Sequence, residues 1–224
     1  MDDHARPSRQ EISDAIDDLG WRLVLGAIYT EVAVLSLAQA AEAAVMAVQI
    51  AGADGQDNLS VDITAQRALL RLQSASQWAV TGLDIALAHR ISAALTSHGL
   101  RPAPGAVQTL EIAIDALDIA GIRPFWKAVT GYVDEPGPSD LSDGLVDPAG
   151  RGPAIWFQQM DASRPQRNRI HLDVDVPHDD AAQRVAAAIA AGGTLLSDAA
   201  APAFWVLADP EGNEACICTW QGRD

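Results

Sequence analysis

The chain has 224 residues with 30 acidic against 15 basic side chains, and its net charge of −15 leaves no basic stripe to displace counterions from phosphates. Nucleic acid is therefore excluded as a partner, and the 49% hydrophobic content suits one large or two ordinary globular domains. The longest apolar run, Leu35 to Ile50, is broken by Gln39, Glu42 and Gln49 and falls short of the roughly 20 residues a bilayer span needs. Met1 to Arg9 is polar and acidic, unlike a secretory signal, so a cytoplasmic protein without membrane attachment is expected.

In chain order, Gln10 to Leu19 reads as a helix stopped by Gly20, and Trp21–Val24 and Ala27–Leu35 read as strands. Ser36 caps an Ala-rich helix running to about Ile50, and the polar stretch Gly52 to Ser60 reads as loop. Val61–Ile63 and Ala68–Leu72 are short strand candidates. Thr81-Gly-Leu-Asp84 has the form of a capping box and opens a helix to about Ser97. Gly99 to Ala106 holds two prolines and two glycines in eight residues, which cannot continue a helix. It predicts a linker at 99–106 between a domain at 1–98 and a second at 107–224.

Beyond the linker, Leu110, Ile112 and Ile114 alternate with Glu111, Ala113 and Asp115, the period of a half-buried strand. A helix from Asp118 to Thr130 ends at Gly131, short strands and turns follow, and Ala154–Met160 reads as a strand. The pattern then restarts. Ile170, Leu172, Val174 and Val176 alternate with His171, Asp173 and Asp175; a helix covers Asp179–Ala191 and stops at Gly192-Gly193. Strands follow at Thr194–Leu196, Phe204–Leu207 and Glu214–Thr219. The result is a repeat of strand, helix, three strands, with Glu111 and His171 at the same place in the two copies. Alternation puts both on the sheet face away from the helices. Cys216 and Cys218, two apart in one strand, do not suit disulfide geometry and are expected reduced and buried.

The run Leu110-Glu-Ile-Ala-Ile-Asp115 through Phe125-Trp126 and Gly131-Tyr132, the second opening Asn168-Arg-Ile-His-Leu-Asp-Val174, and the turn Asp209-Pro-Glu-Gly-Asn-Glu214 together resemble a glyoxalase-like domain of the vicinal oxygen chelate superfamily. That superfamily is also called glyoxalase/bleomycin resistance/dioxygenase. The resemblance implies an α+β chain whose C-terminal domain pairs two βαβββ units around a small-molecule cup. It implies a divalent ion (iron, manganese, nickel or zinc) and a catalytic, metal-holding set of Glu111, His171 and Glu214, the last in place of Cys216, which stands where a closing carboxylate is usual. Trp156, Gln158, Arg169, Trp205 and Cys216 are the expected substrate-binding residues. Beside this stand plainer readings: His171 as a hydrogen-bonded strand residue, Glu111 solvated or paired with Arg169, and Trp205 and Phe204 as packing.

Leu19-Gly20-Trp21, the long helix to Ile50 and Thr81-Gly-Leu-Asp84 resemble, more faintly, a pterin-4a-carbinolamine dehydratase, which implies an α-β-β-α-β-β-α N-terminal fold. The family's His-His-Pro turn falls on Asp57-Asn58-Leu59 and its later histidine on Ala75, so every expected imidazole is missing. A carboxylate is a poorer acid near neutral pH than imidazole, and loss of the dehydratase chemistry is expected. Three functions follow: a metal-dependent lyase, isomerase or dioxygenase acting in the C-terminal cup; a divergent 4a-hydroxytetrahydropterin dehydratase; or a non-catalytic binder that sequesters a small ligand as a homodimer or higher homo-oligomer.

Overall fold

A computed structural model describes residues 6–105, 107–136, 144–163 and 170–222. One compact unit runs to Thr109 and a second begins at Leu110. No helix among the described residues is long and apolar enough to cross a membrane.

The first unit follows the order α1 (Arg9–Ile16), β1 (Arg22–Val24), β2 (Ala27–Ala33), α2 (Leu37–Ala51), β3 (Leu59–Ile63), β4 (Arg67–Leu72), α3 (Gly82–Ser97) and β5 (Pro102–Ala103). The strands form a sheet of order β1-β2-β4-β3, with β5 added to β2. Ile28, Val32, Leu70 and Leu72 bury one face of it under α2 and α3. The wholly buried Ala40, Ala43 and Ala47 carry so little bulk that α2 can lie close on that face. Asp84, wholly buried, opens α3 by accepting bonds from Thr81 N (2.7 Å) and Thr81 Oγ1 (2.8 Å). The Pro-Gly segment at 99–106 does not simply connect: Pro102 and Ala103 pair with Val32 and Glu31, and the Ala103 carbonyl accepts from Thr30 Oγ1 at 3.2 Å. Proline is tolerated there because an edge strand leaves one row of donors unused.

The second unit is two copies of one motif. The first is β6 (Glu111–Ala116), α4 (Ile119–Thr130), β7 (Val133–Asp134), β8 (Leu145–Val146) and β9 (Ala154–Gln159). The second is β10 (Leu172–Asp175), α5 (Ala181–Ala190), β11 (Thr194–Ser197), β12 (Phe204–Ala208) and β13 (Glu214–Cys218). The sheets run β6-β9-β8-β7 and β10-β13-β12-β11, each opening strand parallel to its module's closing strand. Asp118 caps α4 through the Gly121 amide (3.0 Å), and Gly131, in the left-handed region at φ 73°, ends it. Helices α4 and α5 pack together over a shared core of Ile114, Phe125, Trp126, Val185, Leu207 and Ile217. A Cβ on Gly193 would collide with the Phe125 ring, so the close approach of these elements requires glycine there.

A buried carboxylate joins the modules. Asp209, 3% exposed, accepts Trp126 Nε1 from α4 (3.0 Å) and three donors of its own turn, the amides of Glu211 (2.9 Å) and Asn213 (2.8 Å) and Asn213 Nδ2 (2.8 Å). Glu211 then reaches back to accept the amides of Leu117 (3.0 Å) and Asp118 (2.7 Å) in the first module. Bonds to an ionised acceptor are worth more than neutral ones, and removing a buried acceptor strands its donors. Asp209→Ala is expected to destabilise the second unit by about 3 kcal/mol and Trp126→Phe by about 1 kcal/mol, since the latter leaves the turn's own donors in place. Urea unfolding followed by circular dichroism checks this, and equal losses in the two variants would contradict it.

Candidate functional site

The opening strands β6 and β10 are the edges of their sheets, and between them and the β12–β13 turn lies a cavity of about 830 Å³. Ile112, Trp126 and Met160 give it apolar wall, and Asp115, His171 and Glu214 give it polar groups. A concave, mostly apolar space with a few converging polar side chains is the usual form of a small-molecule site.

His171 immediately precedes β10 on the face turned away from Leu172 and Val174, which pack toward the helices. Asp173 follows two residues later on the same face, and parallel pairing sets it opposite Cys216 of β13. His171 Nε2 stands 3.2 Å from Asp173 Oδ1, with the two side chains 51% and 56% exposed. Cys216 is only 7% exposed. Burial first, then its hydrogen bond to Asp173 and that carboxylate's charge, push the Cys216 thiol up to about 12, with smaller contributions from Cys218 and Glu214. Imidazole, carboxylate and thiol thus lie with their ligand atoms all within 4.8 Å of one another. Among the described residues, neither Glu111 nor Glu214 joins a group of three such side chains.

Residues 111–218 match the family model of a glyoxalase-like domain. This stretch is a glyoxalase-like domain. Similar solved structures include a glyoxalase/bleomycin resistance protein/dioxygenase family enzyme from Burkholderia phytofirmans PsJN, 24% identical over 49% of this chain and 95% of that one, at a TM-score of 0.40. A glyoxalase/dioxygenase from Nostoc punctiforme is 17% identical over 52% and 94%, also at 0.40. A fosfomycin resistance protein from Listeria monocytogenes is 11% identical over 50% and 90%, again at 0.40. No curated protein matches this chain.

Within the glyoxalase-like domain, the other expected residues divide. Glu214 begins β13, half-buried, and lines the cavity with His171. Glu111 begins β6, exposed, and its charge acts on Glu135 of its own module. Trp156 and Gln158 stand opposite Ala113 and Asp115 in the β6–β9 ladder, and Trp156 is exposed. Trp205 packs against the helix-side core. Arg169 lies outside the described residues. Sequence reasoning did not single out Asp173 or Asp115 as site residues. The signal was available: each falls on the expected solvent face of its opening strand, Asp173 two residues after His171 and Asp115 four after Glu111.

In the first unit, the expected positions are neighbours: the Ala75 amide donates to the Asp57 carbonyl (3.2 Å) and the Gln73 amide to the Asn58 carbonyl (3.0 Å). Leu59 starts β3, half-buried against the core. The Asn58 side chain is occupied, donating through Nδ2 to Asp84 Oδ1 at 2.7 Å.

Burial, and then the charge of Glu111, hold the Glu135 carboxyl above the ordinary glutamate range. A raised carboxyl binds its proton more tightly folded than unfolded, so the stability it contributes is present at low pH and is lost as pH rises through the ordinary and then the raised value. Glu111→Gln removes the second cause. Glu135 should then titrate at lower pH, and carboxyl-detected NMR titration of wild type and variant measures this; an unmoved midpoint refutes the coupling.

Proposed function

We propose that the glyoxalase-like domain binds a small oxygen-bearing molecule in the cavity between β6 and β10 and acts on it by vicinal oxygen chelate chemistry, as a divalent-metal-dependent lyase, isomerase or dioxygenase. The observation that carries this is the meeting of His171 and Glu214 in one cavity of about 830 Å³ with apolar walls. His171 and the acidic side chains around it are donors suited to a divalent ion, which when bound would supply Lewis-acid polarisation of a carbonyl, enediolate or diol. Asp115 and Glu214 line the same space and are placed to take or return a proton on the bound molecule. Ile112, Trp126 and Met160 hold its carbon skeleton and exclude water.

A second reading has support from the same walls: a binder that sequesters its ligand without turnover. In both readings the first unit is a dehydratase-like module without its acid–base chemistry. What supports that is the observed α-β-β-α-β-β-α order and the lack of any imidazole at Asp57, Asn58, Leu59 and Ala75. The apolar Leu37, Val45 and Val48, each more than half exposed on α2, support a homodimer through that unit. Val45→Glu with Val48→Glu should shift sedimentation to the monomer; a wild type that already sediments as a monomer rejects the dimer.

Ala113 lines the cavity from a solvent-facing position of β6, so a large side chain there fills the space without disturbing the core. Wild type should be stabilised by a small diol, hydroxyketone or dicarbonyl from a screen, by about 2.7 kcal/mol at a hundredfold excess over Kd. Ala113→Trp should lose that gain while keeping its own melting temperature near wild type. Turnover of the ligand separates the enzyme from the binder, and retention of the full gain in Ala113→Trp would place the ligand elsewhere.

A further inference from the structure

We propose that the first unit carries an oxyanion site on the sheet face turned away from its helices, centred on Arg71 and shaped by Tyr29 and Gln73, which takes the carboxylate or phosphate group of a small molecule. The site belongs to the first unit alone and does not depend on what the cavity of the second unit binds.

Strand register builds the site. Ile28, Leu70 and Leu72 go to the helix side, so Tyr29 and Arg71 go to the other face. Pairing then sets Arg22, Tyr29, Arg71 and Ser60 in one row across β1, β2, β4 and β3. Neighbouring strands lie about 4.8 Å apart, so Tyr29 and Ser60 flank Arg71 closely on either side. Arg71 Nε donates to Tyr29 Oη at 3.2 Å, and Arg71 Nη2 donates to Gln73 Oε1. Gln73 is only 4% exposed, and its Nε2 donates in turn to the Gly26 carbonyl at 3.0 Å. The guanidinium is thereby held from two sides by groups that are themselves fixed.

What this arginine lacks is a counter-charge. Arg22 meets Asp17 at 2.8 Å, Arg67 meets Glu31 at 3.3 Å and Arg90 meets Asp54 at 3.2 Å. Among the described residues no carboxylate pairs with Arg71, in a chain with 30 acidic against 15 basic side chains. A guanidinium stays ionised near neutral pH, and half-buried it loses hydration that neutral oxygens restore only in part. Its Nη1 has no partner among the described residues, and Tyr29 Oη, which accepts from Nε, keeps its own hydrogen to donate. A charged and a neutral donor side by side suit an oxyanion: the guanidinium edge matches a carboxylate or phosphate, and the phenol takes a further oxygen. Exposed Ser60 offers another hydroxyl at the rim. Glu31 and Asp62 stand in the next row, where Arg67 pairs with them at 3.3 and 4.0 Å and offsets their repulsion. Because Tyr29 and Gln73 already fix the guanidinium, little of the protein has to be ordered on binding. The expected dehydratase positions are not reused, since the Asn58 side chain is taken by Asp84 at the head of α3.

The test is NMR of the full chain, following the arginine Nε–Hε resonances and the backbone amides of β2 and β4. Inorganic phosphate or acetate is added at constant ionic strength, with chloride as the reference salt. In wild type one arginine resonance, assigned to Arg71 by its loss in Arg71→Gln, should shift saturably with phosphate, acetate or both. The anion that binds more tightly tells a phosphate-bearing ligand from a carboxylate-bearing one. Arg67 and Arg90, already paired with carboxylates, should not move. Arg71→Lys should weaken binding by at least about tenfold, the loss of one charge-assisted hydrogen bond, and Tyr29→Phe by about fivefold, the loss of a neutral one. If Arg71→Gln fails to fold, the wild-type titration and Tyr29→Phe still decide. The proposal is overturned if neither anion shifts the Arg71 resonance beyond the chloride reference, if every arginine resonance shifts with it, or if Arg71→Lys and Tyr29→Phe bind as wild type.

Discussion

Asp209 is a carboxylate almost wholly out of solvent, and it lies where the polypeptide turns into the last strand. Trp126 from the first module donates to one of its oxygens, and the turn's own amides crowd the rest. Because the indole comes from α4 and the acceptor from the loop after β12, the bond fixes the angle at which the two modules meet as well as the shape of the turn. Glu211 completes the tie by accepting the amides at the start of α4. Pro210, Gly212 and Asn213 border the cavity, so the wall that a ligand would touch is held by the same buried charge. Loosening it would change the cavity as well as weaken the domain.

Around that tie, strand alternation distributes the chemistry. Ile112, Ile114, Leu172, Val174, Ala215 and Ile217 all go to the helix side. Their neighbours therefore go to the other face, and apart from Ala113 those neighbours are carboxylates, His171 or the two cysteines. The two copies share a topology but not a chemistry. The first presents Glu111 near Glu135, and the charge of Glu111 adds to the burial that holds the Glu135 carboxyl above its ordinary range. The second presents imidazole, carboxylate and thiol in contact.

Much of this was legible in the sequence, and the reasons are local. Period-two alternation exposed β6 and β10, Asp118 and Gly131 marked the ends of α4, and Asp209-Pro-Glu-Gly-Asn213 announced the closing turn. The paired helix–sheet repeat is countable in the residue pattern alone. What escaped depends on residues far apart in sequence. Nothing near Asp173 says that it pairs with Cys216, because parallel register between β10 and β13 is settled only by how the intervening helix and strands fold. Likewise Pro102-Ala103 reads as a connector because its partner, β2, lies some seventy residues earlier. Glu111 and His171 look equivalent by position, and symmetry suggested that they act together. Their surroundings, set by non-local pairing, are what differ.

That difference bears on how precisely each kind of site must be held. A centre built from Glu111 and His171 would draw its ligands from separate sheets, so its geometry would rest on the Trp126–Asp209 tie and on the packing of α4 against α5. Metal–ligand distances tolerate only a few tenths of an ångström, a demanding requirement across a module boundary. His171, Asp173 and Cys216 are instead brought together by the hydrogen-bonded β10–β13 ladder, which sets the spacing of their backbones within one module. Cluster and cavity are thus held by separate devices: the β10–β13 ladder spaces His171, Asp173 and Cys216, and the Asp209 turn shapes the space beside them. Changes in the cavity wall would alter which molecule fits without disturbing that cluster.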